Sequence, residues 1–197
     1  MNRSLQVQRL ENREYDGSQL ESLWIRKNGG GQGDALVYFE GPCHVTSLMI
    51  DLEDVEAGHH IHGDNMLHFL IEIFDQHPSM ELAVTRQRLF AAIVFEVLTA
   101  QSQEATSLVR EGDDIYLNSG CGHEGKMSVS IATITLQSTL IHFALNITST
   151  GTPEYIETAC LNDLGLTVGD IVYPITSAFQ DELAGIADAS AGKVGTK

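Results

Sequence analysis

The sequence predicts a single α+β domain in which a mixed sheet is flanked by helices. Three observations predict it. Apolar runs of strand length recur with turn residues between them: Ala35–Phe39, Met66–Phe74, Met127–Leu136 and Leu140–Ile147. A long helical pattern from about Ser79 to Ala100 interrupts these runs, and a second from about Pro174 to Ile186 follows them. At 197 residues, 43% of them hydrophobic, the chain can fill one core. No repeat or linker divides it, so the expected domain is 1–186, with 187–197 a flexible Ala/Ser/Gly-rich tail.

The elements follow in order. Leu5–Leu10 alternates and reads as a first strand. Asp16-Gly17-Ser18 supplies a turn and a helix N-cap leading into Leu20, Leu23 and Trp24. The glycine-rich run 28–33 is a loop feeding Ala35–Phe39, a strand expected to stop at Gly41-Pro42. Met66–Phe74 is the clearest buried strand, with Glu72 its one formal charge. Pro78-Ser79 opens what reads as the longest helix, with Leu82, Leu89, Ile93 and Val97 on one stripe. Ser107–Arg110, Ile115–Asn118, Met127–Leu136 and Leu140–Ile147 are β-like, and Glu154–Leu164 then turns helical.

Lys plus Arg total 11 against 27 Asp plus Glu, and the resulting charge of −16 repels phosphate backbones, which argues against a nucleic-acid partner. No apolar stretch has the length of a bilayer span or a signal-peptide core, so no membrane partner is expected. Three widely spaced cysteines (Cys43, Cys121, Cys160) do not make a disulfide framework, and a reducing, cytoplasmic location is the expectation.

The segment with most chemistry runs from Gly112-Asp113-Asp114 to Lys126. Two carboxylates at the start of one strand face a hairpin that carries a lysine at the mouth of the next. Such a lysine can bond carboxylate or phosphate oxygens and stabilise charge developing at an acyl group. A solvated lysine on a surface hairpin is the bland alternative. His60, His62 and Asp64 share one face of an extended strand, and neutral imidazoles bind zinc, which makes His60 and His62 weak metal candidates. Loop or pocket-lining histidines are the competing reading, and Cys121 with His123 is a second such pair. His68 and Glu72 lie at even spacing on the buried strand, facing either a pocket or internal partners; the pocket is favoured. Cys43, near His44 and His68, is either a nucleophile or, more ordinarily, a small buried cysteine.

Biotin and lipoate protein ligases carry a strand reading roughly Asn-Asp-hydrophobic, a Gly-Lys-hydrophobic strand, and a later strand ending in Asn. This chain resembles them at Asp113, Asp114, Gly125-Lys126 and Asn146. The resemblance implies a class II synthetase-like, biotin–lipoate ligase-like fold with a mostly antiparallel sheet. It places Lys126 where those ligases hold the acyl-adenylate and Asp114 at their acidic adenylate position, so these two are the catalytic candidates. His62, Asp64, His68, Asp113 and Asn146 are the substrate-binding candidates. The residues themselves specify no cofactor, and ATP with Mg²⁺ enters by resemblance only. The chain departs from those ligases in the extra hairpin loop Ser119–Glu124. It also lacks the glycine run and the Arg/Gly-rich loop, with His59-His60 standing near the lipoate ligases' basic pair.

Across about Asp16 to Gly165 the chain is similar to an uncharacterised archaeal and bacterial family, domain of unknown function family 366. The stretches that carry the likeness are Gly112–Tyr116 and Lys126–Thr133. The expected function is binding or transfer of a small carboxylic acid (acyl) group, with a small molecule as partner. The alternatives are a non-catalytic binding module that has lost the adenylate loop, and a His-dependent metal enzyme. Exposed edge strands in such a fold also offer a surface for a homodimer.

Overall fold

The structure, a computed structural model, describes residues 4–46, 55–56, 58, 60–102, 107–118 and 124–192. A five-stranded sheet forms the centre, in the order β1 (Gln6–Arg9), β2 (Ala35–Val45), β3 (Ile61–Phe74), β8 (Ser138–Asn146) and β7 (Ser128–Ile134). Among the described residues of this sheet, β1 and β2 pair in parallel and the other neighbouring strands pair antiparallel. A smaller sheet of β4 (Leu108–Glu111), β5 (Asp114–Asn118) and β6 (Glu124–Lys126) stands beside β7.

Because side chains alternate along a strand, β3 feeds two cores. Leu67, Phe69, Ile71 and Ile73 face the layer formed by α2 (Met80–Gln101) and α3 (Val168–Gly192). There Phe90 stands edge-on to Phe69, Phe143 and Phe179, with centroids 5.3, 5.5 and 5.0 Å away. Met66 and Leu70 face the opposite way, into a second cluster roofed by Leu10, Tyr15, Leu20 and Ile25 from the N-terminal segment. Among the described residues no helix is long and apolar enough to cross a membrane.

Several expectations are corrected, each for a local reason. β2 does not stop at Gly41-Pro42 but continues to Val45, because a register shift between Gly41 and Cys43 absorbs the proline. Gly41 is also obligatory there, since a Cβ would stand 1.9 Å from the Arg13 carbonyl oxygen. The helix expected after Asp16 shrinks to α1, Trp24–Lys27. Asp16 instead accepts from the Ser18 backbone and hydroxyl, closing a turn.

In α2, Ser79 caps as expected, its Oγ accepting from the Leu82 N–H at 3.1 Å. The buried face, however, is Ala83, Gln87, Phe90, Val94 and Leu98 rather than the expected stripe, of which only Ile93 is buried. Burying Arg86 and Gln87 sets that rotation. Arg86 pairs with Asp75 at 2.5 Å and donates to Thr139 at 2.7 Å, while Gln87 reaches Asp113 at 2.8 Å.

The longest described helix is α3, not α2. Its start is set ahead of Pro174 by Asp170, whose carboxylate accepts from the Thr167 N–H and hydroxyl. It runs on to Gly192, past the helix end expected at Ile186. Glu154–Leu164 yields only a 3₁₀ turn at Leu161–Leu164, because an isolated bridge ties Thr158 to Lys126 in extended form.

Candidate functional site

Three strands and one loop meet beside β7. Because β7 is an edge strand of the main sheet, one row of its backbone groups has no strand partner in that sheet. The β5–β6 ribbon, the start of β3 and the segment 152–158 surround this edge and leave a pocket of about 200 Å³. Its apolar wall includes Ile61, Met66, Val129 and Ile131, and its polar rim includes Asp114, Lys126 and Thr158.

Lys126 is the most firmly anchored of the site residues. It faces Tyr116 across the β5–β6 pair. Its N–H donates to the Glu157 carbonyl at 2.9 Å, and its carbonyl accepts from the Ala159 N–H at 3.1 Å and the Asn146 amide at 3.1 Å. Gly125 makes this approach feasible, since a Cβ there would lie 2.7 Å from the Ala159 Cβ. The backbone is thus held from both sides, and only the side chain extends toward the pocket.

The Lys126 ammonium pairs with Asp114 Oδ2 at 2.9 Å. The same oxygen accepts from the Tyr116 hydroxyl at 3.3 Å. Burial, then the Asp114 charge, pushes the Tyr116 phenol up to about 12, so it remains a neutral donor. Asp113 lines the pocket and accepts from Gln87, which also donates to Ser130 Oγ at 2.9 Å. The adjacent aspartates therefore have different roles: Asp114 meets the lysine, and Asp113 fastens the ribbon to α2.

The remaining sequence candidates separate. His60 and His62 line the pocket, the main-chain N–H and carbonyl of His60 bracketing the Tyr155 hydroxyl at 3.4 and 3.1 Å. Asn146 also lines it, but its amide donates to the Lys126 and Ala159 carbonyls, so its place is structural. Asp64 is outside the pocket lining and packs against Gly151. His68 is outside it as well, completely buried between β2 and β8 and stacked on Phe39. Glu72 also takes internal partners, accepting from the Leu23 N–H and the Ser138 hydroxyl. The pocket reading of His68 and Glu72 is corrected, because the N-terminal segment covers the sheet face they share.

Cys43 is fully buried, and burial pushes its thiol up to about 12, which suits a core residue and not a nucleophile. Among the described residues no group of three or more His, Cys, Asp or Glu is placed to hold a metal ion. His59, Cys121 and His123 lie outside the described residues. Sequence reasoning did not single out Thr152, Ile156 and Thr158, which line the pocket from a segment without regular structure. It gave no role to Tyr15 or to His142, the latter visible only as a lone histidine in the apolar run Leu140–Ile147.

A family model described as "Domain of unknown function (DUF366)" matches residues 5–194. The "Uncharacterized protein MJ0805" of Methanocaldococcus jannaschii is 32% identical over 158 residues, covering 78% of this chain and 67% of that one. A solved structure described as a protein of unknown function from Pyrococcus horikoshi has a TM-score of 0.85 at 32% identity, covering 97% of this chain and 100% of that one. The biotin protein ligase from Aquifex aeolicus, in complex with biotin and ATP, has a TM-score of 0.59 at 15% identity, with 89% and 70% covered. A bi-partite lipoate protein ligase from Thermoplasma acidophilum has a TM-score of 0.55 at 14% identity, with 89% and 83% covered. At such identities the ligase likeness establishes the fold: an α+β, mostly antiparallel biotin/lipoate ligase-like architecture.

Proposed function

The chain belongs to the DUF366 family, and we propose that its pocket binds a small carboxylic acid, with the carboxylate at Lys126 and the stem along Val129 and Ile131. The observation that carries this reading is the ammonium of a lysine whose backbone is held from both sides, set beside a cavity with an apolar wall. An ammonium has three donors, and Asp114 is its partner among the described residues, so donors remain for a ligand oxygen. The fold adds analogy: an Aquifex aeolicus neighbour is described with biotin and ATP bound.

Transfer of the acyl group is the stronger form of the proposal. There Lys126 stabilises charge on the acyl oxygen and Asp114 sets the lysine's position. The weaker form, binding without activation, is favoured by the missing glycine and arginine-rich motifs.

One experiment separates them. Thermal stabilisation and ATP–pyrophosphate exchange are measured with biotin, lipoate and octanoate, on the native chain and on Lys126→Ala. Stabilisation lost in the variant supports acid binding, and exchange with one acid adds transfer. If no acid stabilises the native chain, the proposal fails.

A further inference from the structure

Behind the pocket lies a smaller cavity of about 20 Å³ whose lining includes Tyr15, Cys43, Val45 and His142. It shares Ile61, Val129, Ser130 and Ile131 with the outer pocket, so the two meet across the same wall. We propose that this inner chamber receives the far end of the bound acid, and that it selects an acid whose stem ends in a hydroxyl.

The first support is Tyr15. It is 1% exposed, and its hydroxyl is the buried side-chain polar atom that finds no hydrogen-bond partner among the described residues. A buried donor left empty is costly, and an acceptor at the Tyr15 side of the chamber would remove that cost.

The second support is His142, whose proton position follows from its neighbours. A carbonyl only accepts, so His68 Nε2 carries the hydrogen that bonds the Gly41 oxygen at 3.2 Å. His68 Nδ1 is then a bare acceptor, and His142 Nε2 must donate to it across 3.0 Å. This leaves His142 Nδ1 without a hydrogen, and no described group bonds it. The Tyr15 and His142 rings stack with centroids 3.5 Å apart and 12° between planes, and both residues line the one small cavity.

The third support is charge. Burial holds the Tyr15 phenol well above its usual range and pushes the Cys43 thiol up to about 12, while both imidazoles are driven toward the neutral form. A charged terminus would be desolvated there with no counter-ion, whereas a neutral group that both accepts and donates is matched. The chamber has room for about one heavy atom, the size of a hydroxyl or a water molecule.

The choice of substrate class rests on the acid reading of the outer pocket, and the test keeps the two apart. Three homologous series are titrated into the native chain: alkanoic acids, their ω-hydroxy counterparts and the matching 1-alkanols. Binding is followed by calorimetry, and the His142 Nδ1 resonance by ¹⁵N NMR. At the best chain length the ω-hydroxy acid is expected to bind roughly tenfold tighter than the plain acid. Tyr15→Phe, which keeps the stacked ring, should erase that difference.

The alkanol, lacking a carboxylate, should still move the His142 resonance. If it does so while no acid binds, the chamber stands and the acid reading falls. If acids bind with no preference for the hydroxyl at any length, a fixed water occupies the chamber and the inference is overturned. Should Tyr15→Phe fail to fold, the native-chain titrations decide alone.

Discussion

Lys126 Nζ stands 2.9 Å from Asp114 Oδ2, with the two side chains 30% and 27% exposed, so the cation of the pocket is already partly neutralised. A carboxylic acid must share the lysine with Asp114 or displace it. Asp114→Asn should therefore tighten acid binding by up to about fivefold, since a partly exposed pair of this kind is worth up to about 1 kcal/mol. Lys126→Ala should weaken it by at least as much. Calorimetric titration with octanoate checks both, and weaker binding in Asp114→Asn would reverse the roles given to the pair.

Asn146 makes a different kind of contribution. Its amide joins the Lys126 carbonyl on β6 to the Ala159 carbonyl of the neighbouring segment, at 3.1 and 3.0 Å. Asn146→Ala leaves the Ala159 carbonyl without this donor and the Lys126 carbonyl with the Ala159 N–H alone, and should cost about 2 kcal/mol in urea unfolding. Acid affinity should fall with it, because the lysine's mounting loosens. Unchanged stability would show that the two carbonyls find other donors.

The sequence made some of this legible and hid the rest for physical reasons. Met66–Phe74 was readable as buried because its apolar run leaves no solvent face, and the hairpin motif singled out Asp113, Asp114 and Lys126 without showing that Asp114 pairs with the lysine. Even spacing placed His68 and Glu72 on one side of β3, but periodicity does not say what covers a face. The cover is the irregular segment carrying Tyr15 and Leu20, which has no period to detect. Ala159, Leu161 and Leu164 have near-helical spacing, yet the Lys126–Thr158 bridge and the Asp163–Cys160 contact make an extended entry and a short turn. Long-range pairing outranked local pattern there.

Glu72 tests the corrected reading of that face. Its two carboxylate oxygens accept the Leu23 N–H at 3.1 and 3.2 Å, where Leu23 holds a left-handed φ of 63°, and Ser138 Oγ adds 2.9 Å. The carboxylate thus supports a strained residue at the start of α1. Glu72→Ala should lower stability by about 2–3 kcal/mol, and Glu72→Gln, which keeps one acceptor, by less. Acid affinity per folded molecule should stay unchanged, and its loss in Glu72→Gln would return the residue to the pocket.

The histidine pair makes stability depend on pH in a defined direction. Burial pushes His68 down to about 4, against the opposing effect of the Gly41 carbonyl, and burial holds His142 well below its ordinary 6.5. In the unfolded chain both titrate near 6.5. Between pH 6.5 and about 4 the unfolded state therefore binds more protons, and acidification favours it. The stabilising contribution is complete above about 6.5 and is lost as pH falls toward 4. At pH 5 each buried histidine should cost on the order of 2 kcal/mol relative to pH 7.5, before most carboxylates begin to protonate. Urea unfolding at the two pH values measures the loss, and His68→Gln should reduce it. A stability that is flat between pH 7.5 and 5 would mean that the pair accepts a proton in the folded state, and with it that the inner chamber is not neutral.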